Sequence, residues 1–463
     1  MRTNLSKLIL LFAIATVIGV WSRVIGMSPH QALAVAIFSV SLLGTLFFWD
    51  FRISFVFLGI SVLLASKTID LEHLVAFSSL EIILFLVGMM VIVGLLKDAG
   101  FFAWIVTLIL RIRNMTAKKF VFVLAVISAL LACAVDEVTS IIFMVAAILE
   151  ICDYFEADPI PYIIISVLAT NIGSAGTVLG NPIGILIATK SGLTFEDFII
   201  KAFPLAMISL VVMIFIVIAF YKKSLEKLDQ QIKKLGSNEI LIDLISVPPD
   251  KNTKAALYIF GITIAFIALS HRLDVMWKLE NNTVLLIVPL VAAGLIMIWK
   301  HNKAQEFIEK DVEWGTLLFF LLLFAQTGTL KYTGATDFLA QKITGITGHN
   351  PYFITTFVLW VSAIGSSILD NVVLVAAFIP VIQEFQKFGI ALQPLWWALL
   401  FGGCFGGNIT LVGSTANIVA LGLLQKERKI KISFFTWFWI GLSVGTATTL
   451  VIWIALLFLP FYK

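Results

Sequence analysis

Apolar runs such as LILLFAIATVIGV (8–20), ALAVAIFSVSLLGTLFFW (32–49) and LVVMIFIVIAFY (210–221) recur along the chain, with few charges inside them. About 20 apolar residues in a helix cross the ~30 Å hydrocarbon core of a bilayer, and only helices or closed barrels satisfy their backbone groups there. This feature restricts the chain to an all-α polytopic membrane protein. Composition agrees: 60% of the 463 residues are hydrophobic and 13% charged, against roughly 25% charged in soluble domains. The pattern predicts about 11 transmembrane helices, at 8–25, 30–49, 53–66, 81–97, 160–190, 203–221, 255–270, 283–299, 314–330, 395–425 and 433–460. The first run lacks a small-x-small cleavage site and is read as a retained helix.

Two segments do not fit as full spans. Residues 120–134 and 138–149 flank Asp136-Glu137, and each is read as roughly 18–22 Å of helix, too short to cross alone. The expectation is a re-entrant hairpin over 120–152 with both carboxylates at its tip. Residues 352–386 repeat the arrangement with Asp370-Asn371. Residues 222–254 form the one long polar segment, expected as an amphipathic helix and a Pro-Pro linker. With the N-terminus inside, most of the 32 Lys and Arg fall on the cytoplasmic side, as the positive-inside rule requires. This orientation puts the linker in the cytoplasm and the C-terminus outside, in a plasma (inner) membrane. Trp21, Trp49, Trp299, Trp314, Trp396 and Trp397 are expected at the interfaces.

An internal repeat organises the chain. LFLVGMMVIVGLLKDAG (84–100) aligns without gaps to LFFLLLFAQTGTLKYTG (318–334), an offset of 318 − 84 = 234, and Leu84, Phe85, Gly94, Leu96, Lys97 and Gly100 all match. The same offset carries Asp136 onto Asp370, and one residue of slippage brings Thr177-Val-Leu-Gly-Asn181 onto Thr410-Leu-Val-Gly-Ser414. An odd number of predicted crossings separates the copies, so they are expected as inverted-topology repeats, the plan of secondary transporters. The expected division is scaffold helices at 1–80, a first repeat at 81–221, the linker at 222–254, scaffold helices at 255–313 and a second repeat at 314–463. Lys97 and Lys331 close matched spans and are expected to snorkel to the interface.

TNIGSAGTVLGNP (170–182) and GGCFGGNITLVGSTAN (402–417) interrupt the spans 160–190 and 395–425. Glycine in mid-helix costs ~1 kcal/mol relative to alanine and proline ~3, so the backbone is meant to leave the helix there. In lipid such breaks are tolerated where they line a cavity or are buried in protein. They supply Asn171, Ser174, Thr177 and Asn181 in one copy, and Asn408, Thr410, Ser414 and Asn417 in the other. These are neutral oxygen donors suited to Na⁺ or a small hydroxylated solute. An acidic side chain at bilayer centre costs upwards of ~2.5 kcal/mol. Two adjacent ones therefore either take up a proton or hold a cation, and switching between the two couples them. Asp136, Glu137, Thr139, Asp370 and Asn371 complete the expected substrate and coupling-ion site, with Asp136 and Asp370 as candidate Na⁺ ligands.

The tips, the N-x-G-x-x-x-T-x-x-G-N-P break, GLTFEDF (192–198), LDNVV (369–373), LWWALLFGGCFGGNITLVGSTAN (395–417) and ISFFTW (432–437) resemble the arsenite-pump and NhaD-type permeases. These belong to the ion transporter superfamily, which also holds citrate and dicarboxylate transporters. The resemblance implies a homodimer whose protomers each combine a scaffold with a transport domain, which moves across the membrane as an elevator. Sodium–proton members often carry Asp-Asn at both tips, whereas here the first is Asp136-Glu137. The extra charge favours a cation or a neutral hydroxy-acid such as arsenite over a dicarboxylate.

The expected function is therefore proton- or sodium-coupled secondary transport of a small inorganic ion, most simply by antiport, with carboxylate symport as the alternative. No enzyme is expected: the Gly-x-Gly-Asp and Tyr-Asp signatures of intramembrane aspartyl proteases and the nucleotide-binding lysine loop are absent from the sequence. Beyond the coupling ion, Na⁺ or H⁺, no cofactor is indicated. Cys133, Cys152 and Cys404 lie far apart without a CxxC, and no nucleic-acid surface is indicated. The expected partners are the lipid bilayer and a small ion or solute.

Overall fold

A computed structural model describes residues 2–112, 114–235, 249–348 and 350–459. Arg113, residues 236–248 of the linker, His349 and 460–463 lie outside the described residues. Among the described residues, every regular element is a helix. The chain begins with α1 (Arg2–Val24), α2 (Pro29–Phe47), α3 (Arg52–Ala65) and the short α4 (Leu71–Phe77). There follow α5 (Leu80–Asp98), α6 (Phe101–Leu110), α7 (Ala117–Val135), α8 (Glu137–Tyr154), α9 (Ile160–Ser174) and α10 (Pro182–Ser191). A long α11 (Phe195–Phe220) leads into α12 (Lys222–Leu235). The peripheral α13 (Lys251–Ala268) and α14 (Ser270–Trp277) meet at a 60° bend, and α15 (Thr283–Trp299) and α16 (His301–Asp311) at 102°. The succession then recurs as α17 (Trp314–Tyr332), α18 (Ala335–Thr347), α19 (Pro351–Ile368), α20 (Asn371–Glu384), α21 (Gln393–Gly406), α22 (Thr415–Arg428) and α23 (Phe434–Phe458).

Among the described residues nine helices are long and apolar enough to cross a membrane, or up to 11 if each bent pair is one span. Local chemistry sets their ends. Ser28 caps α2 in a reciprocal box with Gln31, and Pro29 supplies the preset first-turn φ. The matched glycines Gly100 and Gly334 have φ of +71° and +77°. Each therefore turns α5 into α6 or α17 into α18 through a conformation that only glycine adopts freely.

One apolar core runs through α5, α7 to α11, α17 and α19 to α23. The helix α7 packs along α9, and α19 along α21. A Cβ on Gly173 would collide with the Ala129 backbone, and one on Gly406 with that of Ala363, so both contacts are backbone to backbone. Small residues permit such approach in lipid, where dispersion and not hydrophobic transfer holds helices together. By contrast α1 is buried over only 17% of its apolar window, against 67% for α5, and turns Ile9, Phe12, Val17 and Trp21 outward.

Three expectations change. The hairpin arms are not 12–15 residues long: α7 has 19, α8 and α19 have 18, and only α20, with 14, is as short as expected. Helix propagates into the polar ends Lys118-Lys119 and Glu150–Tyr154, and continues beyond α20 to Phe388, so α7, α19 and Asn371–Phe388 qualify as spans by length and composition. Two crossings and one re-entrant loop both return the chain to the face it left, so the parity of the crossings is unaffected. Trp396 and Trp397 are buried within α21 and are not interfacial anchors. Lys97 does not simply snorkel, because its Nζ lies 3.0 Å from Asp311 on α16.

Candidate functional site

Each tip is organised by its aspartate. Asp136 joins α7 to α8 as a single non-helical residue. Its Oδ1 accepts from the Val138 and Thr139 amides at 2.8 and 2.9 Å, and its Oδ2 from the Thr139 hydroxyl at 2.7 Å. Asp370 does the same for α20: its Oδ1 accepts from the Val372 and Val373 amides at 3.1 and 3.4 Å, and its Oδ2 from Thr415 at 2.6 Å. Both are N-caps, satisfying amides that lipid cannot. They differ in strain. Asp136 has φ +117°, a region costly for any side chain, whereas Asp370 sits at φ −54°.

The next residues in each chain segment meet at the centre. Glu137 is 1% exposed, and its Oε1 accepts from Asn371 Nδ2 at 3.3 Å. Its Oε2 accepts from Asn181 Nδ2, also at 3.3 Å. The Ser414 hydroxyl is 3.5 Å from Oε1 but only 3.0 Å from Asn171 Oδ1. A hydroxyl has one proton, so Ser414 turns fully to Glu137 only by releasing Asn171.

The broken helices supply the surrounding frame. Asn181 Oδ1 caps α10 by accepting from the Gly184 amide at 3.0 Å, while its amide group also reaches Ser174 Oγ at 3.0 Å and Cys404 Sγ at 3.2 Å. Asn171 Nδ2 donates to Asn408 and Asn417 Oδ1, each at 2.9 Å, so both of its protons are engaged. Asn417 in turn ties down the carbonyls of Gly407 and Thr410 at 2.8 Å, groups that the break between α21 and α22 frees from helical bonding. Thr177 and Thr410 play matched parts: their hydroxyls donate to the carbonyls of Cys133 and Ser367, locking each broken segment to the neighbouring hairpin.

The α8, α20, α10 and α22 helices thus begin within this one bonded cluster. Their N-termini carry partial positive charge, which favours a carboxylate at the centre. Burial opposes it, and none of the hydrogen-bond partners of Glu137 is a Lys, Arg or His. A cavity of about 230 Å³ reaches Asp136, Glu137, Thr139, Pro182 and Thr415. Phe85, Met89 and Val93 of α5 also line it, together with Lys97, Lys310, Asp311 and Glu313.

The structure brings Glu137, Asn371, Asn181, Ser414, Asn171, Asn408 and Asn417 into one network, with Ser174 joined through Asn181. Asp136, Thr139, Asp370, Thr177 and Thr410 stand around it as caps and ties. Among the described residues no three His, Cys, Asp or Glu side chains come together as a metal site. Sequence reasoning missed Thr415, Asp311 and Glu313. Thr415 lies on the broken helix, whereas its functional counterpart Thr139 lies on the tip itself, so no repeat alignment pairs them.

Residues 5–402 match the family described as citrate transporter. The chain is 30% identical over 352 residues to an uncharacterized transporter of Mycobacterium tuberculosis, covering 75% of this chain and 78% of that one. It is 26% identical over 497 residues to the P protein of Homo sapiens, covering 93% of this chain and 57% of that protein. Among solved structures it is similar in fold to the Alcanivorax borkumensis YdaH transporter, with a TM-score of 0.55 at 14% identity. That likeness covers 86% of this chain and 88% of the other.

Proposed function

Because the chain belongs to the citrate transporter family, and is thereby a membrane transporter, we propose that it is a proton- or sodium-coupled secondary transporter in which Glu137 carries the coupling ion. The observation behind this reading is a carboxylate 1% exposed whose hydrogen-bond partners are neutral amides and a hydroxyl. Removing an unpaired charge from water costs several kcal/mol even after relaxation. A proton or Na⁺ arriving through the cavity cancels that cost, and Asp136, which lines the cavity, is the adjacent carboxylate it meets. The two hairpins and two broken helices, joined through Glu137, Asn171, Thr177 and Thr410, then move together as the transport domain of an elevator, in a homodimer. The cargo of this first reading is a small inorganic cation or neutral oxy-acid exchanged against the coupling ion.

The four converging helix N-termini favour a second reading. Once Glu137 is neutralised, their partial charges and the Asn and Ser donors suit a small carboxylate, making the protein a cation-coupled carboxylate symporter. A pulse of Na⁺, then Li⁺, onto proteoliposomes with an acid, dye-loaded interior separates the two. Luminal alkalinisation that Glu137→Gln abolishes supports cation–proton exchange. Citrate uptake driven by either ion gradient and abolished by the same substitution supports symport. Full ion-coupled turnover in Glu137→Gln would sink both.

A further inference from the structure

The amphipathic helix α12 begins directly after the membrane-spanning α11 and packs on α7 and α11. It is fastened to both open ends of the first hairpin. Asp229 Oδ1 accepts from the Ala117 amide, the first of α7, at 2.6 Å. Gln231 Nε2 donates to the Glu156 carbonyl, in the turn that leaves α8, at 2.7 Å. Leu225 and Leu228 are buried beneath it. At 100° per residue, Lys222, Lys223, Lys227, Lys233 and Lys234 share an arc of about 140° on the side opposite those leucines. All five are exposed, and none has an ion-pair partner among the described residues. Glu226 is the one acid in the arc, and Lys118 and Lys119 at the start of α7, on which α12 packs, are also exposed.

We propose that this lysine face binds the headgroups of anionic lipids and, through Asp229 and Gln231, holds the base of the first hairpin. The location selects the partner. The contacts of α12 are with the start of α7 and the turn after α8, where the chain emerges from the bilayer, so headgroups are the nearest extended anionic surface. A basic cluster beside a span gains affinity by roughly five-fold per lysine held near an anionic membrane. Loss of the lipid contact frees α12, and with it the cap on the Ala117 amide. The hairpin whose tip holds Glu137 is thereby sensitive to the lipid beside its other end.

The test needs no cargo and is independent of the transport reading. Full-length protein is placed in nanodiscs of phosphatidylcholine alone, or with one quarter phosphatidylglycerol, and hydrogen exchange is followed over 114–124 and 222–235. Exchange in both segments should slow by about five-fold or more in the anionic discs. Changing all five lysines to Gln should erase the difference, while Asp229→Ala should keep it at 222–235 and lose it at Ala117. If the five-fold substitution does not fold, Lys233→Gln with Lys234→Gln, at the end remote from α11, should give a reduced effect. Equal exchange in the two lipids would overturn the proposal and leave the lysines to a soluble acidic partner. A lipid effect that survives in the Gln variant would overturn it as well.

Discussion

The two hairpin tips occupy matched places in the chain and do different things. In both, an aspartate caps the second arm, and a threonine hydroxyl from the adjoining broken segment ties the hairpin down. The feature the copies share is therefore the one that builds the tip. The feature in which they differ, Glu137 against Asn371, is the pair that meets at the centre of the site. The two aspartates satisfy backbone amides in the same way, while the residues that follow them differ in charge. Asp136 alone is also strained, at φ +117°, so the tip bearing the charge is the one held in an unfavourable backbone conformation.

The sharpest way to break this comparison is to make the tips alike. Glu137→Gln should lower ion-coupled flux by about 100-fold or more, with unchanged or higher thermal stability, because an amide is cheaper to bury than an unpaired charge. Retained flux would assign the coupling ion elsewhere. Asn371→Asp should put a second carboxylate against Glu137 and cost several kcal/mol when both are ionised. Thermal unfolding in detergent should show that loss at alkaline pH and low salt, and its recovery by acid or by Na⁺. Recovery by neither would mean that the two side chains move apart.

Smaller effects test the shared frame. Thr177→Val and Thr410→Val each leave a buried carbonyl without its donor and should each cost about 1–3 kcal/mol. Similar losses would support structural equivalence of the two ties, and a large inequality would weaken it. Asp136→Gly and Asp370→Gly both remove a capping carboxylate, at roughly a few tenths of a kcal/mol because glycine is itself a tolerated N-cap, but only the first relieves backbone strain. Chemical denaturation should find Asp136→Gly the milder by about 1 kcal/mol. The least effect is expected at Asp70, a cap outside the spans on α4, whose carboxyl is held below its usual range by the His73 amide first and the His73 side chain next. A depressed value means the contribution is present above the ordinary carboxylate range and lost as pH falls through the folded value. The protection of amides over 71–77, measured relative to their intrinsic exchange rate at each pH, should therefore fall on acidification, and Asp70→Asn should remove that step.

Much of the architecture was legible because lipid makes irregularity expensive. Charges in an apolar run, and glycine with proline in mid-span, stand out locally. The sequence by itself thus determined the all-helical class, helix breaks within 170–182 and 402–417, and the interruptions at Asp136 and Asp370. It did not determine which carboxylate occupies the centre. Asp136 and Glu137 are adjacent, and the choice turns on one being the cap and the other the first helical residue, whose side chain leaves the axis in another direction. Nor did it reveal that Thr415 answers to Thr139, that Asp311 meets Lys97, or that Trp396 and Trp397 are buried, since each depends on a distant segment packing alongside. Local backbone cost writes itself into sequence, whereas the direction in which a side chain points acquires meaning only from what lies across from it. The tertiary structure alone decided that Glu137 faces Asn371, Asn181 and Ser414.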